Sequence, residues 1–169
     1  LVEFHGYSTP HGSTYNSYLI MDEKITLVDG VKHYMSKEQL ARISSLTDFS
    51  KIAYIVVNHV EMDHSGNIPP QAKIITNSAG KQALEAHFDT TGWEYELIKT
   101  GDSVSIGKRT LEFMTTPMLH WPDSMMTYVK EDKLLLSNDG FGQHYASDAL
   151  FVKDAPLDVV TENAKSYYA

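Results

Sequence analysis

The chain has 169 residues, a formal net charge of -8 and no cysteine. That length suits one domain with a real core. The absence of any Lys/Arg-rich run argues against nucleic acid and anionic membrane, which need clustered cations. Without thiols there is no disulfide, iron–sulfur cluster or thiolate zinc site, so any metal must be held by His, Asp and Glu. No run approaches the roughly twenty apolar residues of a membrane-spanning helix, and a cytoplasmic protein is expected.

In chain order, "YNSYLIM" (15–21) and "KITLVD" (24–29) are β-rich runs joined by Asp22-Glu23, which predicts an antiparallel hairpin. "SKEQLARISSL" follows with Leu40, Ile43 and Leu46 at helical spacing, and Ser36 with Gln39 predicts a capping box. "KIAYIVV" (51–57) is a short β-branched run suited to a strand covered on both faces. A strand at "AKIIT" and a helix over 78–88 come next, then three short strands between Thr91 and Pro117 with Gly107-Lys108 as a turn. "MMTYVKEDKLLLSND" predicts a last hairpin with Glu131-Asp132 at its tip, and a helical-looking stretch precedes "SYYA". The alternation of strands, hairpins and helices predicts mixed sheets flanked by helices.

The chemistry is concentrated in "NHVEMDHSG" (58–66), where the buried strand stops. In an extended chain His59, Glu61 and Asp63 project to one face, and a turn after Asp63 brings His64 round. Gathering carboxylates and imidazoles is costly without a cation to offset repulsion and desolvation. His120 in "TPMLHWPDSM" and Asp139 in "LLLSNDGFGQH" also follow strands. Alone, the first reads as a loop histidine and the second as a turn residue; their shared position at strand ends joins them to the metal reading.

"H-x-E-x-D-H" at His59 to His64, "TPMLHWPDSM", "SNDGFGQHYAS" and "FHGYSTPHGSTYNSYLI" resemble the metallo-β-lactamase-type domain of flavodiiron proteins, the A-type flavoprotein family of oxygen and nitric oxide reductases, over essentially the whole chain. The resemblance implies an α/β fold, an αββα sandwich of two mixed β-sheets flanked by helices, incomplete at both ends over residues 1–169. It implies a non-haem di-iron site in which His59, Glu61 and His120 bind one iron, Asp63 and His64 the other, and Asp139 bridges them. A further histidine ligand is expected beyond Ala169. The resemblance also places His5, His144 and Tyr168, the latter taken from the pair Tyr167-Tyr168, beside the small-molecule pocket as hydrogen-bonding and proton-delivering groups. Trp121 and Phe141 would wall it.

The same resemblance implies O2 or NO as substrate, FMN in a flavodoxin-like domain downstream, rubredoxin or another protein as electron donor, and a head-to-tail homodimer. Hydrolases of this fold carry His where Glu61 stands; three anionic ligands favour a ferric state over Lewis-acid hydrolysis. An oxygen-sensing di-iron protein and a zinc-type hydrolase are the two other readings compatible with the motif.

Overall fold

The computed structural model describes residues 9–68 and 71–168. It divides into two compact units, Tyr15–Gly140 and the described residues of Leu1–Thr14 with Phe141–Ala169.

The first unit contains two sheets. In chain order its elements are β1 (Tyr18–Ile20), β2 (Ile25–Val28), α1 (Ser36–Ser44), β3 (Ile52–Val56), α2 (Met62–Ser65), β4 (Lys73–Thr76), α3 (Ser78–His87), β5 (Tyr95–Leu97), β6 (Ser103–Ser105), β7 (Thr110–Thr115), β8 (Met125–Val129) and β9 (Leu134–Leu136). Strands β1 to β5 form one sheet in sequence order and β6 to β9 the other. The β1–β2 hairpin is antiparallel, with Tyr18 opposite Val28. From β2 to β5 the pairing is parallel, as the intervening helical connections require. The second sheet is antiparallel along all its pairings.

Alternation of side chains across the strands explains the layering. Val28, Val56 and Ile75 face Leu111, Phe113, Met125 and Leu136 in one buried cluster, the seam between the sheets. Their neighbours Leu27, Ile55 and Ile74 point the other way and pack with Ile43 of α1 and Leu84 of α3. Strand β3, flanked by β2 and β4, is therefore covered on both faces, as its unbroken apolar run predicts. Each such buried Val, Leu or Ile contributes roughly 1.5–3 kcal/mol relative to exposure.

Two details differ from the sequence reading. Ser36 is not the cap of α1: a 3-10 turn at His33–Met35 runs straight into the helix, Met35 is the cap residue in helical backbone geometry, and no side chain caps it. Gln39 is instead buried, donating to Ser17 Oγ and accepting from Asn67 Nδ2. Leu46 lies past the end of α1 and is 65% exposed. Helix α3 is capped as its composition suggests, with Asn77 Oδ1 accepting from Gly80 N at 2.9 Å.

In the other unit α4 (Leu157–Tyr168) follows Pro156 and buries Val160. No described helix is long and apolar enough to cross a membrane.

The loops that follow β2 and β3 are in tight contact. Gly30 N donates to His64 O at 2.7 Å, and a Cβ on Gly66 would stand 2.5 Å from His33 N and 2.8 Å from Val31 O. Both obstacles are backbone, so they cannot rotate away. Gly66→Ala is expected to destabilise the protein by about 1–3 kcal/mol through overpacking. Denaturant unfolding measures this, and a change under about 0.5 kcal/mol would show that the loops do not meet as closely as described.

Candidate metal centre

The site begins with Asn58, the second residue after β3. Its backbone N–H donates to Asp29 Oδ1 at 2.7 Å and its side-chain amide to Asp29 Oδ2 at 2.9 Å. Its side-chain oxygen accepts from Thr127 Oγ1 at 2.7 Å, and its carbonyl accepts from Met125 N at 2.9 Å. Asp29, Asn58 and Thr127 are all buried, and burial raises the Asp29 carboxyl despite the Asn58 donors. Asn58 thus joins the end of β2 to β8, and the next residue, His59, emerges from a fixed point.

Beyond His59 the chain does not continue extended to Asp63. Glu61 is the cap residue of α2, and its carbonyl accepts from His64 N and Ser65 N at 2.8 and 3.0 Å. Ser65 Oγ returns a bond to Val60 O at 2.8 Å. The sequence expectation of strand-like alternation through Asp63 is corrected here: a single helical turn carries Asp63 and His64 into the interior, where both are buried.

His120 sits in a loop closed by its own backbone, with Thr116 N donating to Ser124 O, Leu119 N to Thr116 O and Met118 N to Trp121 O. Its φ of 104° lies in the left-handed region that a β-carbon resists, a local strain of the kind that collects at functional sites. Asp139 follows Asn138, whose φ is 47° and whose side-chain oxygen accepts from Asp139 N at 2.6 Å. Asn tolerates that conformation better than most residues.

These loops bring donor atoms of His59, Glu61, His120 and Asp139 within 4.8 Å of one another. Glu61 Oε2 lies 3.3 Å from His59 Nε2 and 3.5 Å from His120 Nε2. Asp139 is shared: Oδ2 is 3.4 Å from His120 Nε2 and Oδ1 is 3.1 Å from His64 Nε2. His64 Nε2 is also 3.5 Å from Asp63 Oδ2. Ligands about 2.1 Å from one ion stand about 3 Å or more apart, so the spacing suits a cation.

Polar satisfaction points the same way. Among the described residues, Asp63 Oδ1 and His64 Nδ1 are buried without a hydrogen-bond partner, and His64 Nε2 faces carboxylate oxygens, 3.1 Å from Asp139 and 3.5 Å from Asp63. Such orphaned groups cost about 1–3 kcal/mol each unless something else satisfies them.

The side chains stabilise one another as ions. Contacts with His120 and then His59 hold Glu61 down to about 2. Burial opposes a charge on His59, but Asp123 and Glu61 outweigh it and lift the imidazole to about 9. Burial opposes a charge on His64 too, and Asp139 and Asp63 overcome it, whereas Asp63 itself is raised by burial first. Tyr15 packs edge-on against His64 with ring centroids 5.6 Å apart, and burial followed by the Asp63 charge raises its phenol.

Of the remaining predicted site residues, Trp121 lies beside the cluster, its ring 5.5 Å from that of His59. His5 falls outside the described residues. His144, Tyr168 and Phe141 belong to the other unit. There Ser13 Oγ lies 3.4 Å from His144 Nδ1, Tyr167 packs edge-on against His144, and Tyr168 packs against Tyr167 and is 55% exposed.

Sequence reasoning passed over Asn58, Asp29 and Asp123. Both oxygens of the last lie 3.1 Å from His59 Nδ1. Its only signal was a carboxylate three residues after His120, between Pro122 and Ser124.

The chain is 44% identical to a protein named nitric oxide reductase from Moorella thermoacetica and 43% identical to one named rubredoxin-oxygen oxidoreductase from Megalodesulfovibrio gigas, matching 98% and 99% of its own length. It spans 44% and 43% of theirs, less than half of each relative. The crystal structure of the flavodiiron protein from Giardia intestinalis superposes with a TM-score of 0.92 at 39% identity, over 97% of this chain and 42% of that one. The two-sheet core with its donor-rich loops lies within residues 14–168, which match the family model described as ODP family beta lactamase, and the chain belongs to that family.

Proposed function

We propose that the chain is the di-iron domain of an oxidoreductase that reduces O2 to water, NO to N2O, or both. The observation that carries this reading is the shared Asp139 carboxylate, with one oxygen toward His64 and the other toward His120. In the proposed assignment His59, Glu61 and His120 hold one iron, Asp63 and His64 the second, and Asp139 both. Bound there, paired irons would supply redox electrons and open positions for a small diatomic molecule. The names of the relatives support both substrates.

The chain's own groups set the character of the site. Glu61, Asp63 and Asp139 provide hard anionic oxygens that favour the oxidised state, whereas imidazole at position 61 would favour a softer, hydrolytic metal. His5, His144 and Tyr168 are proposed to hydrogen-bond the substrate and deliver protons. Electrons are proposed to come from FMN in a flavodoxin-like domain of the same polypeptide, fed by rubredoxin or a similar donor, with a head-to-tail homodimer placing the flavin of one subunit near the irons of the other. A cytoplasmic setting is proposed as well.

Expression with ample iron followed by metal analysis is expected to recover iron bound to the domain; two zincs with esterase activity and no iron would remove the redox reading. Glu61→His should lower iron retention or move the couple to more positive potential, because a neutral donor stabilises the ferric state less. An unchanged potential with unchanged iron content would refute the charge argument.

Protons compete with a metal at His59. The raised value of about 9 means that the ring carries its proton at neutral pH, whereas Glu61, held at about 2, does not compete there. Iron(II) loading at pH 7 should therefore release a proton from His59, and affinity should rise as pH increases toward 9, by about tenfold per unit for that proton. Calorimetry in buffers of different ionisation enthalpy reads the proton count; iron bound with no proton released would contradict a protonated His59 giving way to the metal.

A further inference from the structure

We propose that Asp123 is a positioning residue for the metal centre: its buried carboxylate holds His59 in the Nδ1–H tautomer and so turns the free lone pair of Nε2 toward Glu61, His120 and Asp139. The proposal rests on the metal reading above, and its test separates the two.

His59 is 1% exposed and Asp123 5% exposed, so neither exchanges its partner for water. Both carboxylate oxygens lie 3.1 Å from His59 Nδ1. An ionised carboxylate only accepts, so the nitrogen facing it must carry the hydrogen. The other nitrogen, 3.3 Å from Glu61 Oε2, is then the one available as a ligand.

The carboxylate is itself held in place. Oδ2 also accepts from Val60 N at 2.7 Å, and the Asp123 carbonyl accepts from Asn77 Nδ2 at 2.7 Å. Asn77 is the cap of α3, so Asp123 is tied to the start of that helix and to the backbone just after His59. It also lies three residues after His120, and one side chain therefore links the two loops that carry His59 and His120.

This arrangement distinguishes positioning from packing. In Asp123→Asn, the amide oxygen can still accept from Val60 N, and the shape is nearly unchanged. The amide NH2 then replaces Oδ1 at 3.1 Å from His59 Nδ1, setting donor against donor and leaving Nδ1–H only the oxygen that Val60 N already uses. The ring relieves the conflict by moving its hydrogen to Nε2, where it blocks the ligand position. The same exchange behind a catalytic histidine leaves geometry intact while inverting the tautomer.

The test uses Zn2+ as a diamagnetic probe, with affinity read by chelator competition and the tautomer by NMR of 15N-histidine-labelled protein. In the Zn2+-bound wild type His59 is expected to carry its hydrogen on Nδ1, and Asp123→Asn to bind Zn2+ about 10–100-fold more weakly, its metal-free ring at alkaline pH carrying the hydrogen on Nε2. Zn2+ affinity within about twofold of wild type, with Nδ1–H retained, would overturn the proposal. If Asp123→Asn does not fold, the wild-type spectrum decides: a neutral His59 carrying its hydrogen on Nε2 overturns it equally. If wild type takes up no Zn2+, the metal reading fails, and the tautomer at alkaline pH still decides the role of Asp123.

Discussion

The buried hydrogen bonds around Asn58 are the constraint on which the site depends. This one residue bonds to the Asp29 carboxylate from backbone and side chain, to Thr127 through its amide oxygen, and to Met125 through its carbonyl. Strands from both sheets are thereby locked at one edge, and His59 leaves that junction with little freedom. Buried polar groups are tolerated only when satisfied, so the same network that places the histidine also penalises any alternative register. The apolar seam beneath it, from Val28 and Val56 to Leu111 and Met125, provides the burial that makes the penalty large.

Above that junction the chain spends stability on a concentration of charge. Glu61, Asp63, Asp123 and Asp139 surround His59, His64 and His120, and their mutual contacts lower Glu61 and Asp139 while raising His59 and His64. Left-handed backbone at His120 and Asn138 adds local strain on two of the ligand-bearing loops. Neither feature stabilises a fold by itself. Both fit side chains arranged in advance for a cation, which offsets repulsion and would take up Asp63 and the Nε2 of His64.

Much of this was legible in the primary structure. The β-branched run before Asn58 predicted the central strand, and the density of His, Glu and Asp after it predicted the cluster. His120 and Asp139 were found because each follows a strand. What escaped was geometry that short segments do not encode. Strand alternation predicted one face for His59, Glu61 and Asp63, but α2 has only four residues, too few to carry a helical period. The cap of α1 failed for a similar reason, since a 3-10 turn replaces the extended residue that a Ser cap needs. The pairing of Asp123 with His59 escaped because the two are 64 positions apart in the chain.

The central claim is that three segments, the stretch from His59 to His64 and the loops carrying His120 and Asp139, together grip a pair of metal ions. X-ray absorption fine structure on the iron-loaded protein tests it most directly. The account predicts a nitrogen- and oxygen-rich shell with an iron–iron vector of about 3.5–4 Å, the spacing of two-metal sites. A mononuclear spectrum with no metal–metal scattering, persisting at full iron occupancy, would contradict it.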